Sequence, residues 1–189
     1  MSEKVRLSSL TMHPFHPWAI TLVSCVDEAG KPNAITIGAS SVCSARPPTV
    51  GVAIGTRQYS LELIQRTGDF GVNIPDRSLV RATDLCGVIS GRNCNKFDVA
   101  GLSVQEPALI QSPLIAECPV TMECKVVHVA HLGSHDWVIG EIVAVYVAAH
   151  LMTDGELDAS KLDPLIGTWG EYWSLGPKVE DWMFMRGKG

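Results

Sequence analysis

Residues 120–130, VTMECKVVHVA, alternate in character: Met122, Cys124, Val126, His128 and Ala130 fall on one face of an extended chain, Thr121, Glu123 and Lys125 on the other. A period of two predicts a strand with one face against a core. Residues 136–150, DWVIGEIVAVYVAAH, are apolar at odd and even positions alike, which predicts a central strand enclosed on both sides. Four shorter β-branched runs precede them: AITLVSCV (19–26), NAITI (33–37), TVGVAIG (49–55) and FGVNI (70–74). The turn residues Gly30 and Pro32 lie between the first two and join them as a hairpin. Helical spacing is found twice. In 60–68, Ser60 is the expected N-cap, Leu61 and Ile64 share a face, Glu62 and Arg66 are one turn apart, and Gly68 ends the helix. In 76–87, Asp76 caps, Leu79, Ala82 and Cys86 share a side, and Gly87 stops the helix. Strands outnumber helices and follow one another as antiparallel neighbours. The pattern predicts a mainly β fold with a few helices (α+β), an antiparallel barrel carrying helices on its outside. No internal repeat, low-complexity run or linker divides residues 1–189, which are expected to form a single domain.

Composition narrows the function classes. A chain of 189 residues with 46% apolar and 19% charged residues can build one core without covalent staples. The net charge of −5 and the lack of any basic run argue against a nucleic-acid partner. The N-terminal stretch has no apolar signal core, and the longest apolar run, 137–149, is short and contains Glu141. Neither secretion nor a membrane span is expected, and a cytoplasmic location is. Six cysteines stand singly with no CxxC pair, so reduced, mostly buried thiols are expected rather than disulfides. His13 and His16 flank prolines, and His128 and His131 fall on opposite strand faces, so the histidines predict no metal site.

Chemistry concentrates in NAITIGASSVCSARPP, residues 33–48. The run begins as a strand, then becomes small and uncharged at 38–41, and ends on Pro47–Pro48. A loop without bulk lets a flat ligand approach the backbone, whose N–H groups can bond its edge. Beyond the next strand, GTRQYSLELI places Arg57 three residues before Ser60 at a helix start. A guanidinium, a hydroxyl and free helix N–H groups make an anion site; the plainer alternative is a routine Ser cap beside a solvated Arg. GxSxG, HExxH, Walker A and GxGxxG are absent, so no side-chain acid, base or nucleophile is indicated and no Rossmann site for a dinucleotide.

Several motifs occur in an order that resembles the flavin reductase-like (flavoredoxin) family. They are Asn33 and Thr36 leading into the small loop and Ser44-x-x-Pro47-Pro48, then FGVNI, NKFDVAGL (95–102), SHDWVIGEIVAV (134–145) and PLIGTWGEYWSLG (164–176). The likeness covers about residues 10–176. It implies a split β-barrel that binds FMN non-covalently, a homodimer with flavin near the subunit interface, and a C-terminal extension over about 160–189. It further implies an oxidoreductase passing electrons from NAD(P)H, bound transiently, to free flavin, Fe(III) or a redox protein. The alternatives are a flavoredoxin-type electron carrier without NAD(P)H turnover, or a non-enzymatic split-barrel binding protein. Carried over by residue, Thr36, Ile37, Gly38, Ala39, Ser40 and Ser41 would line the ribityl chain and ring. Arg57 and Ser60, with Lys96, would hold the phosphate. His135, the one catalytic candidate, would lie near flavin and nicotinamide, and Trp169 and Tyr172 would close the pocket. Two departures stand out: Asn95 replaces the usual Asp before Lys96, and Ala39–Ser40 stand where many relatives carry Ser or an aromatic residue. Three of the five tryptophans follow residue 168, a tail suited either to a partner subunit or to the chain's own barrel.

Overall fold

The computed structural model describes residues 4–6, 8, 15 and 17–182, so His13 and His16 lie outside the described residues. The strands, in order, are β1 Trp18–Ala19, β2 Thr21–Val26, β3 Pro32–Ile37, β4 Ser40–Ala45, β5 Pro48–Gly55 and β6 Asp69–Ile74. After them come the short pair β7 Val104–Gln105 and β8 Leu114–Ile115, and the long pair β9 Val120–His131 and β10 His135–Val147. The chain closes with β11 Met152–Thr153, β12 Glu156–Leu157, β13 Ile166–Thr168 and β14 Glu171–Trp173. The helices are α1 Tyr59–Thr67, α2 Val80–Val88 and α3 Lys96–Ala100.

Seven strands form one antiparallel sheet in the order β3-β2-β6-β9-β10-β5-β4. Its two edges, β3 and β4, are consecutive in sequence and joined by only Gly38 and Ala39. A two-residue link cannot span an open seven-strand sheet, so the sheet curls until its edges meet. The Ala53 N–H then donates to the Ala39 carbonyl (2.9 Å), but β3 and β5 form no ladder, and the barrel stays split along that seam.

The barrel interior holds Val23, Ile35, Ile37, Val50, Val52, Ile54, Phe70, Val72, Cys124 and Val138, with Leu61, Leu63 and Ile64 of α1 packed on them. Each buried apolar side chain of this size contributes about 1.5–3 kcal/mol. Helix α1 touches β2, β3, β5 and β6, so it lies across the seam. The opposite face of β2 and β3 presents Leu22 and Ala34 to Ala82, Cys86 and Phe97 of α2 and α3. Asn73 is fully buried; it donates to the Leu22 carbonyl and Ser24 Oγ and accepts from the Ile115 N–H, binding β6, β2 and β8 together. Gly140 is required by packing, because a Cβ there would stand 2.6 Å from the Phe70 ring.

Local expectations change where tertiary contacts intervene. A bulge at Val127 reverses the face of β9: Val126 faces the core, His128 pairs with Ile139, and Val129 takes the core position that simple alternation assigns to its neighbours His128 and Ala130. Glu123, on the face expected to be polar, is fully buried under residues 106–112. Residues 40–45, read as mostly loop, form edge strand β4. Helix α1 begins at Tyr59 with Gln58 at the N-cap, so Ser60 does not cap it. Glu62 pairs with Arg92 and Arg66 with Glu28, rather than with each other. Asp76 caps a single 3₁₀ turn that runs into α2, and Gly87 sits inside that helix where a Cβ would stand 3.4 Å from Thr36. The four buried cysteines are free thiols, as are the exposed Cys43 and the partly exposed Cys94. Burial pushes the Cys25 and Cys86 thiols up to about 11 and Cys124 to about 12.

Candidate functional site

A cavity of about 290 Å³ opens along the seam. One wall is the free edge of β3 and its exit, residues Ile35 to Ala39. β3 pairs only with β2, so its outer edge offers unpaired backbone donors and acceptors. The floor is β5. Its Val50, Val52 and Ile54 point into the core, so Ala53 and Gly55 face the cavity with almost no side chain. Trp18 and Trp169 form the remaining aromatic wall, edge to face with centroids 6.4 Å apart. Gln58 and His135 close the end nearest α1.

The tryptophans are brought there by a small sheet, β1-β13-β14, which folds the C-terminal segment over the barrel. Gly167 permits this, since a Cβ there would come within 2.6 Å of Ile20. A second cavity of about 270 Å³ adjoins the first, sharing Trp18 and Gly38 and bounded by Tyr172. The Tyr172 hydroxyl donates to Asp84 Oδ1 (3.1 Å), tying β14 to α2. Burial and this carboxylate push the phenol up to about 12.

The residues picked from sequence divide into two groups. Gly38, Ala39, His135 and Trp169 line the seam cavity, with Thr36 and Ile37 contributing through the β3 edge. The Thr36 hydroxyl itself donates to the Thr83 carbonyl of α2, and Ile37 is a core side chain. The others stand away from the cavity. Ser40 and Ser41 belong to β4; Ser40 Oγ donates to the Ala19 carbonyl (3.4 Å) and Ser41 Oγ to the Val42 carbonyl (3.3 Å). Ser60 is buried and its hydroxyl accepts from Asn33 Nδ2 (2.9 Å), so it is not presented to a phosphate. Lys96 is buried and donates from Nζ to the Cys86 carbonyl (2.7 Å), and burial lowers its pKa. Arg57 is exposed beside Gln58, next to the start of α1, where the Leu61 N–H is already taken by the Gln58 carbonyl. Asn95 caps α3 by accepting from the Phe97 N–H (3.1 Å), a role Asn and Asp share, which accounts for the departure at that position.

Sequence reasoning missed Trp18, Ile35, Ala53, Gly55 and Gln58. The alternation of small and large residues in TVGVAIG marks Ala53 and Gly55 as one bare strand face, a readable signal. Trp18 and Gln58 carry no local signal, because only the curl of the sheet brings them to the seam. Among the described residues no three His, Cys, Asp or Glu side chains are placed to hold a metal, and no helix is long and apolar enough to cross a membrane.

A cavity with a backbone edge, a bare floor and an aromatic wall suits a flat ring that hydrogen-bonds along one edge. The chain is similar to a flavoredoxin from Methanosarcina acetivorans (29% identity, TM-score 0.88, 99% of each chain covered). It is similar also to the flavoredoxin of Desulfovibrio vulgaris (28% identity, TM-score 0.86, 97% of this chain and 98% of that one). An uncharacterized protein of Archaeoglobus fulgidus is 35% identical over 115 residues, 61% of this chain; the match spans 65% of that protein's length. The family model described as "Flavin reductase like domain" matches residues 13–166, and the chain belongs to that family, with the split-barrel fold.

Proposed function

We propose that this chain is an FMN-binding oxidoreductase passing electrons from NAD(P)H to an acceptor: free flavin, Fe(III) or a redox protein. The observation that carries the reading is the seam cavity, where the free β3 edge, the bare Ala53 and Gly55 and a wall of two tryptophans meet. The fit is structural: Ala53 and Gly55 leave the floor bare, and a Cβ added at Gly38 would stand 3.5 Å from the Trp18 ring. Bound FMN would supply the two-electron chemistry. The backbone groups of 36–39 would orient the ring edge with fixed dipoles that need no proton transfer. Trp18 and Trp169 would keep water from one side. Arg57 and the start of α1 would hold the phosphate, without the Ser60 hydroxyl or Lys96. The absence of a side-chain acid or base in the sequence motifs is consistent with chemistry carried by a cofactor.

The likeness to two flavoredoxins favours a second reading, a carrier reduced by a protein rather than by NAD(P)H. One experiment separates the two. Purified protein is loaded with FMN and mixed anaerobically with NADH or NADPH in a stopped-flow cell. Rapid loss of the oxidised-flavin colour supports the reductase. A stable yellow protein that does not bleach supports the carrier, and a protein that retains no FMN refutes both.

A homodimer is part of the same proposal. The outer sheet face exposes Val42, Val127 and Val145, and the tail leaves Trp173, Leu175 and Trp182 in solvent. Such apolar surface suits a second copy of the chain. Sedimentation equilibrium giving a monomer at micromolar concentration would remove this part of the proposal.

A further inference from the structure

We propose that Gln58 and His135 form a subsite that reads the hydroxyl chain of the ligand, between its ring and its phosphate. This inference rests on the flavin mononucleotide reading above and assigns residues that neither the motifs nor the family likeness places on that chain.

The geometry centres on Gly55. It is the last residue of β5 and pairs across the ladder with His135. A Cβ placed on Gly55 would stand 3.3 Å from Gln58 Cγ, 3.9 Å from Gln58 Nε2 and 3.8 Å from His135 Nε2. A heavy atom resting over Gly55 is therefore within reach of two polar nitrogens on different elements. Both elements are held. The Gln58 N–H donates to the Gly55 carbonyl (2.9 Å), and the Gln58 carbonyl accepts from the Leu61 N–H (3.1 Å), which fixes the turn into α1. Ser134 Oγ engages His135 Nδ1 (2.9 Å), and the Ser134 carbonyl accepts from the Thr56 N–H (3.1 Å), stitching the β9–β10 hairpin to the same turn. With Nδ1 engaged, Nε2 is the ring nitrogen left for a ligand.

Position selects the chemistry. Ala53 shares the cavity with the β3 edge, Gly55 follows it at the end of β5, and the chain then runs through Arg57 into the start of α1. A ring against the first and a phosphate at the last leave the connecting polyol over Gly55. A hydroxyl both donates and accepts, and the glutamine amide offers one group of each kind, while imidazole Nε2 takes either role with its tautomer. Neither partner needs a charge, so the subsite suits a neutral linker rather than the phosphate. The competing reading is that Gln58 and His135 are solvated rim residues with no ligand contact.

The test uses full-length protein and three flavins, with affinity read from quenching of flavin fluorescence. FMN and riboflavin both carry the hydroxyl chain; lumiflavin has a methyl group in its place. Gln58→Leu is expected to weaken FMN and riboflavin about tenfold, the worth of one or two neutral hydrogen bonds, and to leave lumiflavin unchanged. Gly55→Ala, which fills the spot with a methyl group on a backbone any residue adopts, is expected to show the same selectivity. Equal losses for all three flavins, or no loss for any, overturns the subsite. If the wild-type protein binds FMN and riboflavin while both variants bind them as well as it does, only this inference falls. If the wild-type protein binds none of the three, the flavin reading falls and the subsite with it.

Discussion

Glu123 offers the sharpest test of how the barrel is held. Its side chain is fully buried, yet no cation pairs with it among the described residues. Its oxygens accept instead from the Ala108 N–H (2.7 Å), the Leu109 N–H (2.6 Å) and the Tyr146 hydroxyl (2.6 Å). Burial alone would push the carboxyl up; the bonds from Ala108, Tyr146, Leu109 and Ile110 outweigh it, and the pKa lies below the ordinary value. Glu123→Gln keeps the shape but replaces one acceptor oxygen by an N–H₂ group that faces donors. Losing one charge-assisted bond, about 1.5–3 kcal/mol, and leaving a buried N–H donor unsatisfied, about 1–3 kcal/mol, give a destabilisation of about 3 kcal/mol or more. For a domain of this size that lowers Tm by roughly 6–12 °C, measured by calorimetry or circular dichroism at pH 7. The pH dependence has a definite sign. A carboxylate with a depressed folded pKa stabilises the protein above its unfolded value, and that contribution is lost as pH falls through the folded value. The gap between wild type and Glu123→Gln should therefore narrow below about pH 4. A variant as stable as wild type at pH 7, or a gap that does not change with acid, would show that the residue 106–112 segment is not anchored by this carboxylate.

Three further outcomes are expected. Arg57→Ala should weaken FMN at least tenfold in a fluorescence titration and leave riboflavin, which has no phosphate, unaffected. Lys96→Met should leave FMN affinity unchanged and keep or raise stability in urea, because it removes a buried ammonium with one carbonyl partner; a lost FMN affinity would restore Lys96 to the phosphate site. Gly140→Ala forces a methyl group to within 2.6 Å of the Phe70 ring and 2.9 Å of Cys124 Cβ, and should cost about 1–3 kcal/mol in chemical denaturation, whereas Gly38→Ala, with 3.5 Å to Trp18, should fold normally.

The relation between sequence and site is clearest at residues 33–60. The β3 strand, the bare stretch after it and the start of α1 are local features, and their residue types announce them. The roles of Thr36, Ser40, Ser41 and Ser60 are not local. Thr36 turns toward α2, Ser60 turns inward to Asn33 and Ser40 reaches the Ala19 carbonyl, each serving an element distant in sequence, while Ser41 is drawn into β4 by its pairing with β5. A hydroxyl looks the same in the sequence whether it faces a ligand or a neighbouring strand.

Side-chain alternation, turn residues and helix caps by themselves determined that this chain makes a mainly β fold with helices near 60–68 and 76–87, and placed most of the principal strands within a residue or two; the short helix Lys96–Ala100 was not among them. Those signals act over a few residues, and a strand's period or a cap's hydrogen bond is complete within that distance. The order of the strands, the bulge that reverses β9 at Val127, and the meeting of β3 with β5 were decided only by the tertiary structure. A two-residue link between the outermost strands leaves the sheet no arrangement but a curl, and the cavity is the gap the curl leaves. Trp18, Gln58, His135 and Trp169, spread over most of the chain, become neighbours there for that reason.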